Sequence, residues 1–243
     1  MNTPSYLGKK TGSGIPHFII SKMPKHDVYI EPFLGTGAIM SMKYPANINI
    51  GIERDQNILN KLNFDKRYYI VNDNSLEILE STIDKYISNG SICIYLDPPY
   101  LHKTRSCLNS CKYLYDMIDD EHIKLLNILI EIDKKYKNVY LMISGYKSDL
   151  YMSMLHGWNY FETQTMSRGG KRIESLWTNF NPTNMIKHDY DYIGHNYTDR
   201  QRMKRKAKRW LNNLDNMTLD ERVFILREIS HSYQELYCSI DKK

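Results

Sequence analysis

Short runs rich in β-branched and aromatic residues recur along this chain with helical stretches between them, and this alternation constrains the fold more than any other feature. The runs are 28–33, 48–53, 68–71, 92–96 and 139–144, and the stretches after them are 38–42, 55–62, 75–87, 119–136 and 147–155. In the fourth of these stretches Ile123, Leu126 and Ile130 fall at the spacing of an amphipathic helix. Strands separated by helices pair in parallel through right-handed crossovers, which predicts an open, doubly wound α/β sheet. Two further runs, 158–166 and 175–180, flank a polar turn from Arg168 to Arg172 and close a mostly parallel sheet of seven strands. Ligands of such sheets bind outside the carboxyl ends of the strands. That rule singles out Leu34 to Gly37, Glu53, Asp73 and Asp97 to Tyr100, each at the end of a run.

The 243 residues suffice for one sizeable domain with a small appendage. No run of about 18 uncharged apolar residues is present, so no membrane-spanning helix is expected. Met1 to Pro24 lacks the apolar stretch of a signal peptide, and four cysteines are too few for a disulfide scaffold, so a cytosolic protein is expected. Cys107 and Cys111 with His102 and His122 have loose spacing and no paired CxxC, so free thiols are the reading and no metal is expected. Gly35-Thr36-Gly37 lacks the GK[ST] ending of a phosphate loop, and no G-x-S-x-G hydrolase elbow occurs.

Composition shifts after Phe180, dividing the chain into a core of 1–180 and a tail of 181–243. Arg200, Arg202, Lys204, Arg205, Lys206, Lys208 and Arg209 follow one another with no acidic residue between Arg200 and Leu214. Met203, Ala207, Trp210, Leu211 and Leu214 form an apolar stripe beneath that charge. A second helix is expected from Thr218, where Glu221 completes a capping box, through Val223, Leu226, Ile229 and Leu236. The tail therefore reads as a C-terminal helical hairpin.

Asp97-Pro98-Pro99-Tyr100 is the strongest chemical signal. Two prolines after an apolar strand freeze the backbone and remove two N–H donors while leaving carbonyls exposed. An exocyclic amino group offers two donors, which the Asp97 carboxylate and the Pro98 carbonyl are suited to accept, with Tyr100 as a stacking surface.

The tetrapeptide, the segment Tyr29-Ile30-Glu31-Pro32-Phe33-Leu34-Gly35-Thr36-Gly37 and three further segments together resemble the Dam-like DNA adenine-N6 methyltransferases of bacteria and phages. The further segments are His102 to Ser106, Met142 to Tyr146 and Glu174 to Phe180, and the similarity covers most of the chain. The resemblance implies a Rossmann-like class I methyltransferase fold, S-adenosylmethionine as cofactor and double-stranded DNA as partner. It implies that Pro32, Phe33, Leu34, Gly35, Thr36 and Gly37 wrap the cofactor, that Glu53 with Arg54 meets its ribose, and that Asp73 accepts from its adenine amino group. It further implies that Asp97, Pro98, Pro99 and Tyr100 carry catalysis on a flipped adenine, with Asp97 also bordering the cofactor. Family members often carry a lysine before the first strand; here the register is shifted, and Lys10, with Tyr6, is the nearest counterpart.

About 60 residues separate Gly37 from Asp97, and two βα units fill them, so no recognition insertion fits there. DNA contact is expected instead from Lys103, Arg105, Tyr113 and Tyr115 after the tetrapeptide, from Arg168, Lys171 and Arg172, and from Lys204, Arg205, Lys208 and Arg209 in the tail. Competing readings are methylation of cytosine N4 or of an RNA adenine, and a non-catalytic DNA-binding protein that keeps the fold. The sequence leaves monomer and homodimer both open.

Overall fold

The computed structural model describes residues 14–101, 115–167, 170–194 and 196–234, with the side chains of 165–171 and 184 outside the description. Seven strands form one sheet in the order β3-β2-β1-β4-β5-β7-β6. They are β1 (Val28–Glu31), β2 (Ile48–Glu53), β3 (Tyr68–Asn72), β4 (Ile92–Leu96), β5 (Val139–Gly145), β6 (Asn159–Ser167) and β7 (Gly170–Thr178). The first five pair in parallel; β7 runs antiparallel to β5 and to β6. The helices between them are α2 (Ala38–Met42), α3 (Gln56–Leu59), α4 (Ser75–Tyr86), α5 (Asp119–Lys135) and α6 (Asp149–Met154). The doubly wound, mostly parallel seven-stranded sheet expected from the alternation is the one observed.

The central strands read as continuous apolar runs because both of their faces are covered. Every residue of β1 and β4 is buried. On one side of the sheet Leu125, Leu126, Leu129 and Ile132 of α5 join Leu79 and Ile83 of α4 in the main core. Trp177 of β7 is 1% exposed and packs its ring between Tyr151 and Tyr160. Fully burying an aliphatic or aromatic side chain of this size stabilises by roughly 1.5–3 kcal/mol, so this layer supplies much of the folding free energy.

From β1 the chain winds outward through β2 and β3, then returns to β4 on the other side of β1. The reversal creates a crevice beyond the carboxyl ends of β1 and β4, where open α/β sheets take ligands. The turn after β1 and the prolines after β4 are neighbours for this reason alone.

The elements depart from the sequence expectations in several places. Helix α1 (Ile15–Ile20), with Pro16 in its first turn, buries Ile19 and Ile20 where no element was expected. Strand β7 starts five residues before its hydrophobic run: Lys171 and Arg172 are not turn residues but ladder partners of Met166 and Thr165. Backbone pairing extends a hairpin past the point where its side chains stop being apolar.

Contacts divide the chain after Tyr190 rather than after Phe180. Residues beyond 180 stay with the sheet through the bridge between Pro24 and Lys187, the His188 N–H donated to the Met23 carbonyl at 3.1 Å, and the His26–His188 ring stack at 3.7 Å. In the second unit, α7 (Tyr197–Asp215) and α8 (Leu219–Ser232) realise the expected pair of helices. The Thr218–Glu221 capping box is present, and the Arg222 guanidinium donates to the Leu214, Asp215 and Met217 carbonyls, closing the end of α7. The apolar stripe is present, but among the described residues nothing buries it: neither helix has a buried residue, and Trp210 is 58% exposed. Among the described residues no helix is long and apolar enough to cross a membrane.

Candidate functional site

The crevice between β1 and β4 opens into a cleft of about 1110 Å³, its mouth included.

One half of the cleft belongs to the β1–α2 turn and the end of β2. Pro32, Phe33, Leu34, Gly35 and Thr36 line it. Gly35 and Gly37 have φ of 51° and 63°, the left-handed region that glycine enters without a Cβ penalty. The turn is closed by the Gly37 N–H donated to the Leu34 carbonyl at 2.8 Å, and the Leu34 N–H reaches Ile52 of β2 at 3.0 Å. Glu53 faces this turn. One of its carboxylate oxygens accepts the Gly35 N–H and the other the Asp55 N–H, both at 2.8 Å. Burial raises its pKa, opposed by these backbone donors. Each carboxylate oxygen has a second lone pair, so a bound ligand's hydroxyls can be received without breaking the turn.

The other half belongs to the ends of β4 and β5. Asp97, Pro98, Pro99 and Tyr100 line it together with Tyr95. The Ser144 hydroxyl, near the end of β5, donates to an Asp97 carboxylate oxygen at 2.9 Å, and the Tyr95 hydroxyl bonds Ser144 in turn at 2.9 Å. The Tyr100 hydroxyl donates to Glu174 at 2.9 Å, and the Tyr146 ring meets the Tyr100 ring at 60° and 4.5 Å between centroids. Burial first, and then Asp97 and Glu174, hold the Tyr100 phenol well above its ordinary pKa. Tyr100 therefore stays a neutral hydrogen-bond donor.

Between the halves lies Glu31, the last residue of β1, 3% exposed and lining the cleft. It accepts a hydrogen bond from the Tyr29 hydroxyl at 2.9 Å and one from the Met40 backbone. Burial pushes its pKa up to about 8, against these donors. Lys43, 2% exposed, is pushed down to about 7 by burial, and its ammonium sits 4.1 Å from the Tyr29 ring centroid.

Most of the candidates meet in this cleft, but some do not. Gly37 serves as the cap of α2 instead of lining the cleft, because its backbone is committed to closing the turn. Asp73 lies exposed beside the cleft, its carboxylate turned back onto the Asn74 N–H at 2.7 Å; Asn74 and Ser75 line the wall in its place. Arg54 is in the lining, its guanidinium 5.0 Å from the centroid of the Tyr115 ring, so Tyr115, expected to face DNA, closes the cleft wall beside Met117 and Glu121. Arg172 donates to the Tyr146 hydroxyl at 3.2 Å, and Lys204, Arg205, Lys208 and Arg209 are exposed along α7. Tyr6, Lys10, Lys103, Arg105, Tyr113 and Arg168 lie outside the described residues, as does the side chain of Lys171. Sequence reasoning missed Ser144, Tyr146, Glu174 and Glu31 as site residues, although all four lie within segments that carry the family resemblance.

No family model matches the chain, and no curated protein matches its sequence. Among solved structures it is similar to precorrin-6y C5,15-methyltransferase from Geobacter metallireducens, at 11% identity over 72% of this chain and 91% of that one, with a TM-score of 0.46. It is also similar to the N-terminal domain of human METTL16 in complex with SAH, at 12% identity over 65% and 63% of the two chains, with a TM-score of 0.42. A candidate DNA modification methyltransferase encoded within an Escherichia coli prophage has 16% identity over 62% of this chain and 45% of that chain, with a TM-score of 0.39.

Proposed function

We propose that this chain is an S-adenosylmethionine-dependent DNA adenine-N6 methyltransferase that acts on an adenine flipped out of the duplex. The observation that carries the reading is the union, in one cleft, of the Phe33–Gly35 turn and Glu53 with the Asp97-Pro98-Pro99-Tyr100 corner.

The residues fit the cofactor by their chemistry. Glu53 suits a pair of vicinal hydroxyls, the turn glycines admit close backbone approach, and Phe33 with Leu34 supplies apolar wall. When bound, S-adenosylmethionine supplies an electrophilic methyl group on sulfonium sulfur.

The rest is work for this chain's own side chains. An adenine amino group inside a duplex is out of reach, so the base must be extruded at a cost of a few kcal/mol. Tyr100 receives its face. Asp97, oriented by Ser144, accepts one amino hydrogen and the Pro98 carbonyl accepts the other. These acceptors favour positive charge as it develops on N6, and they aim its lone pair along the line of displacement. Once N6 took the methyl group that the bound cofactor would supply, one amino hydrogen would turn acidic, and Asp97 is placed to accept that proton. Arg172 and the exposed basic row on α7 supply phosphate contacts that position the duplex without reading its sequence. On this reading the chain up to Tyr190 is the catalytic unit and the two helices that follow are a DNA-contacting appendage.

The test is methyl transfer from labelled S-adenosylmethionine to double-stranded DNA, with nucleoside analysis of the product. N6-methyladenine is expected; N4-methylcytosine, or label in RNA alone, overturns the substrate assignment. Asp97→Ala is expected to lower transfer about 100- to 1,000-fold while cofactor binding by calorimetry is kept. A folded variant with the wild-type rate sinks the mechanism.

A further inference from the structure

We infer that Glu174 is a positioning residue for the target base, acting through the ring of Tyr100; the inference rests on the methyltransferase reading above. Pro98 and Pro99 fix the backbone of the corner, but they leave both side-chain torsions of Tyr100 free. A ring that must meet an extruded base needs its own restraint. Glu174 supplies one by accepting the Tyr100 hydroxyl at 2.9 Å.

The acceptor is well anchored. Glu174 is 7% exposed and belongs to β7, whose pairing with β5 starts one residue later, at Ser175 opposite Gly145. The backbone just past that ladder carries Glu174 on one strand and Tyr146 on the other. Tyr146 then meets Tyr100 from a second direction, its ring at 60° to that of Tyr100. The Tyr146 hydroxyl is engaged by Arg172, two residues before Glu174. The Tyr100 ring is thus restrained at its hydroxyl end and at its ring by groups from the β5–β7 edge, none of them part of the tetrapeptide. A carboxyl side chain seldom sits this deeply in a sheet without a partner to hold, and Tyr100 is such a partner.

The consequence is a division of labour: Asp97 holds the amino group, and Glu174 sets the surface on which the base lies. The test is a double-mutant cycle on the full chain with S-adenosylmethionine and duplex DNA. Glu174→Leu removes the acceptor, and Tyr100→Phe removes the donor while keeping a stacking ring. Each single change is expected to lower kcat about tenfold to a hundredfold with cofactor affinity unchanged, since misplacement near 1 Å has that effect. The double variant is expected to be no slower than the slower single one, and Glu174→Gln, which keeps an acceptor, is expected to fall between wild type and Glu174→Leu. A role limited to stability predicts instead a melting temperature that falls in the variants while kcat per folded molecule stays at the wild-type value. If Glu174→Leu does not fold, the Glu174→Gln and Tyr100→Phe pair runs the same cycle. Active wild type with multiplying losses, or with Glu174→Leu at full speed, overturns the role of Glu174. Wild type that methylates no polynucleotide overturns the reading beneath it instead.

Discussion

The two halves of the cleft are built by different means. The β1–β2 half is held by backbone: glycines in the left-handed region, a closed turn, and Glu53 clasped by the N–H groups of Gly35 and Asp55. The β4–β5 half is held by side chains from distant parts of the chain, with Ser144 on Asp97 across 47 positions and Glu174 on Tyr100 across 74. A backbone-built surface suits a ligand that is the same in every turnover. A surface assembled from side chains on the sheet edge can be tuned one residue at a time, which suits the substrate that differs between enzymes of one fold. Changes in the first half are therefore expected to act on cofactor affinity, and changes in the second on turnover.

The largest expected departure on that axis is Glu53→Ala. It removes the acceptor proposed to meet the cofactor hydroxyls and the bonds to the Gly35 and Asp55 N–H groups, and a rise of about a hundredfold in the cofactor dissociation constant is expected, near 2.8 kcal/mol at 1.4 kcal/mol per tenfold. Calorimetry with S-adenosylmethionine measures it, and turnover at saturating cofactor should remain within a few-fold. A kcat loss as large as the affinity loss breaks the division between the halves. Ser144→Ala is expected to act in the opposite sense and more weakly, lowering kcat about tenfold by freeing Asp97 to rotate, with cofactor affinity untouched. If its effect falls on cofactor binding instead, Asp97 belongs functionally to the first half.

The same contrast explains what was legible in the sequence. The sheet, its crossovers and the backbone-built half follow from local signals: apolar runs, glycines at a turn, acids and prolines at strand ends. Strands β2 and β4 and helix α2 lie where the pattern placed them, and the Thr218–Glu221 cap starts α8 as its spacing requires. The partners of Asp97 and Tyr100 were not legible as such, because register across β4, β5 and β7 brings them together and no local pattern encodes that register. Being at a strand end does not by itself fix where the Asp73 carboxylate turns; the backbone N–H of Asn74 holds one of its oxygens. The apolar stripe of α7 shows the same limit: period 3.6 predicts an amphipathic helix, not what covers it.

Glu31 stands at the seam between the halves and gives the smallest and most specific expectation. Burial pushes its pKa up to about 8 from an ordinary value near 4.5, so the folded state holds a proton that the unfolded chain has lost across that window. Stability therefore falls as pH rises from about 4.5 to about 8, because the native state binds more protons than the unfolded one there. Lys43 works in the other direction: its pKa is lowered to about 7 from 10.5, so its contribution to stability recovers as pH rises between those values. Below pH 7 the Glu31 slope stands alone of the two. Glu31→Gln removes the titration while keeping a polar side chain that can accept from Tyr29 and Met40. Urea midpoints measured from pH 5 to pH 7 should decline less steeply for the variant than for the wild type, with little difference at pH 5, where Glu31 is already neutral. Parallel slopes would mean that Glu31 is ionised in the folded protein at neutral pH. The seam would then carry a buried negative charge beside Asp97, and the β4–β5 half would owe its electrostatics to β1 as well as to β5 and β7.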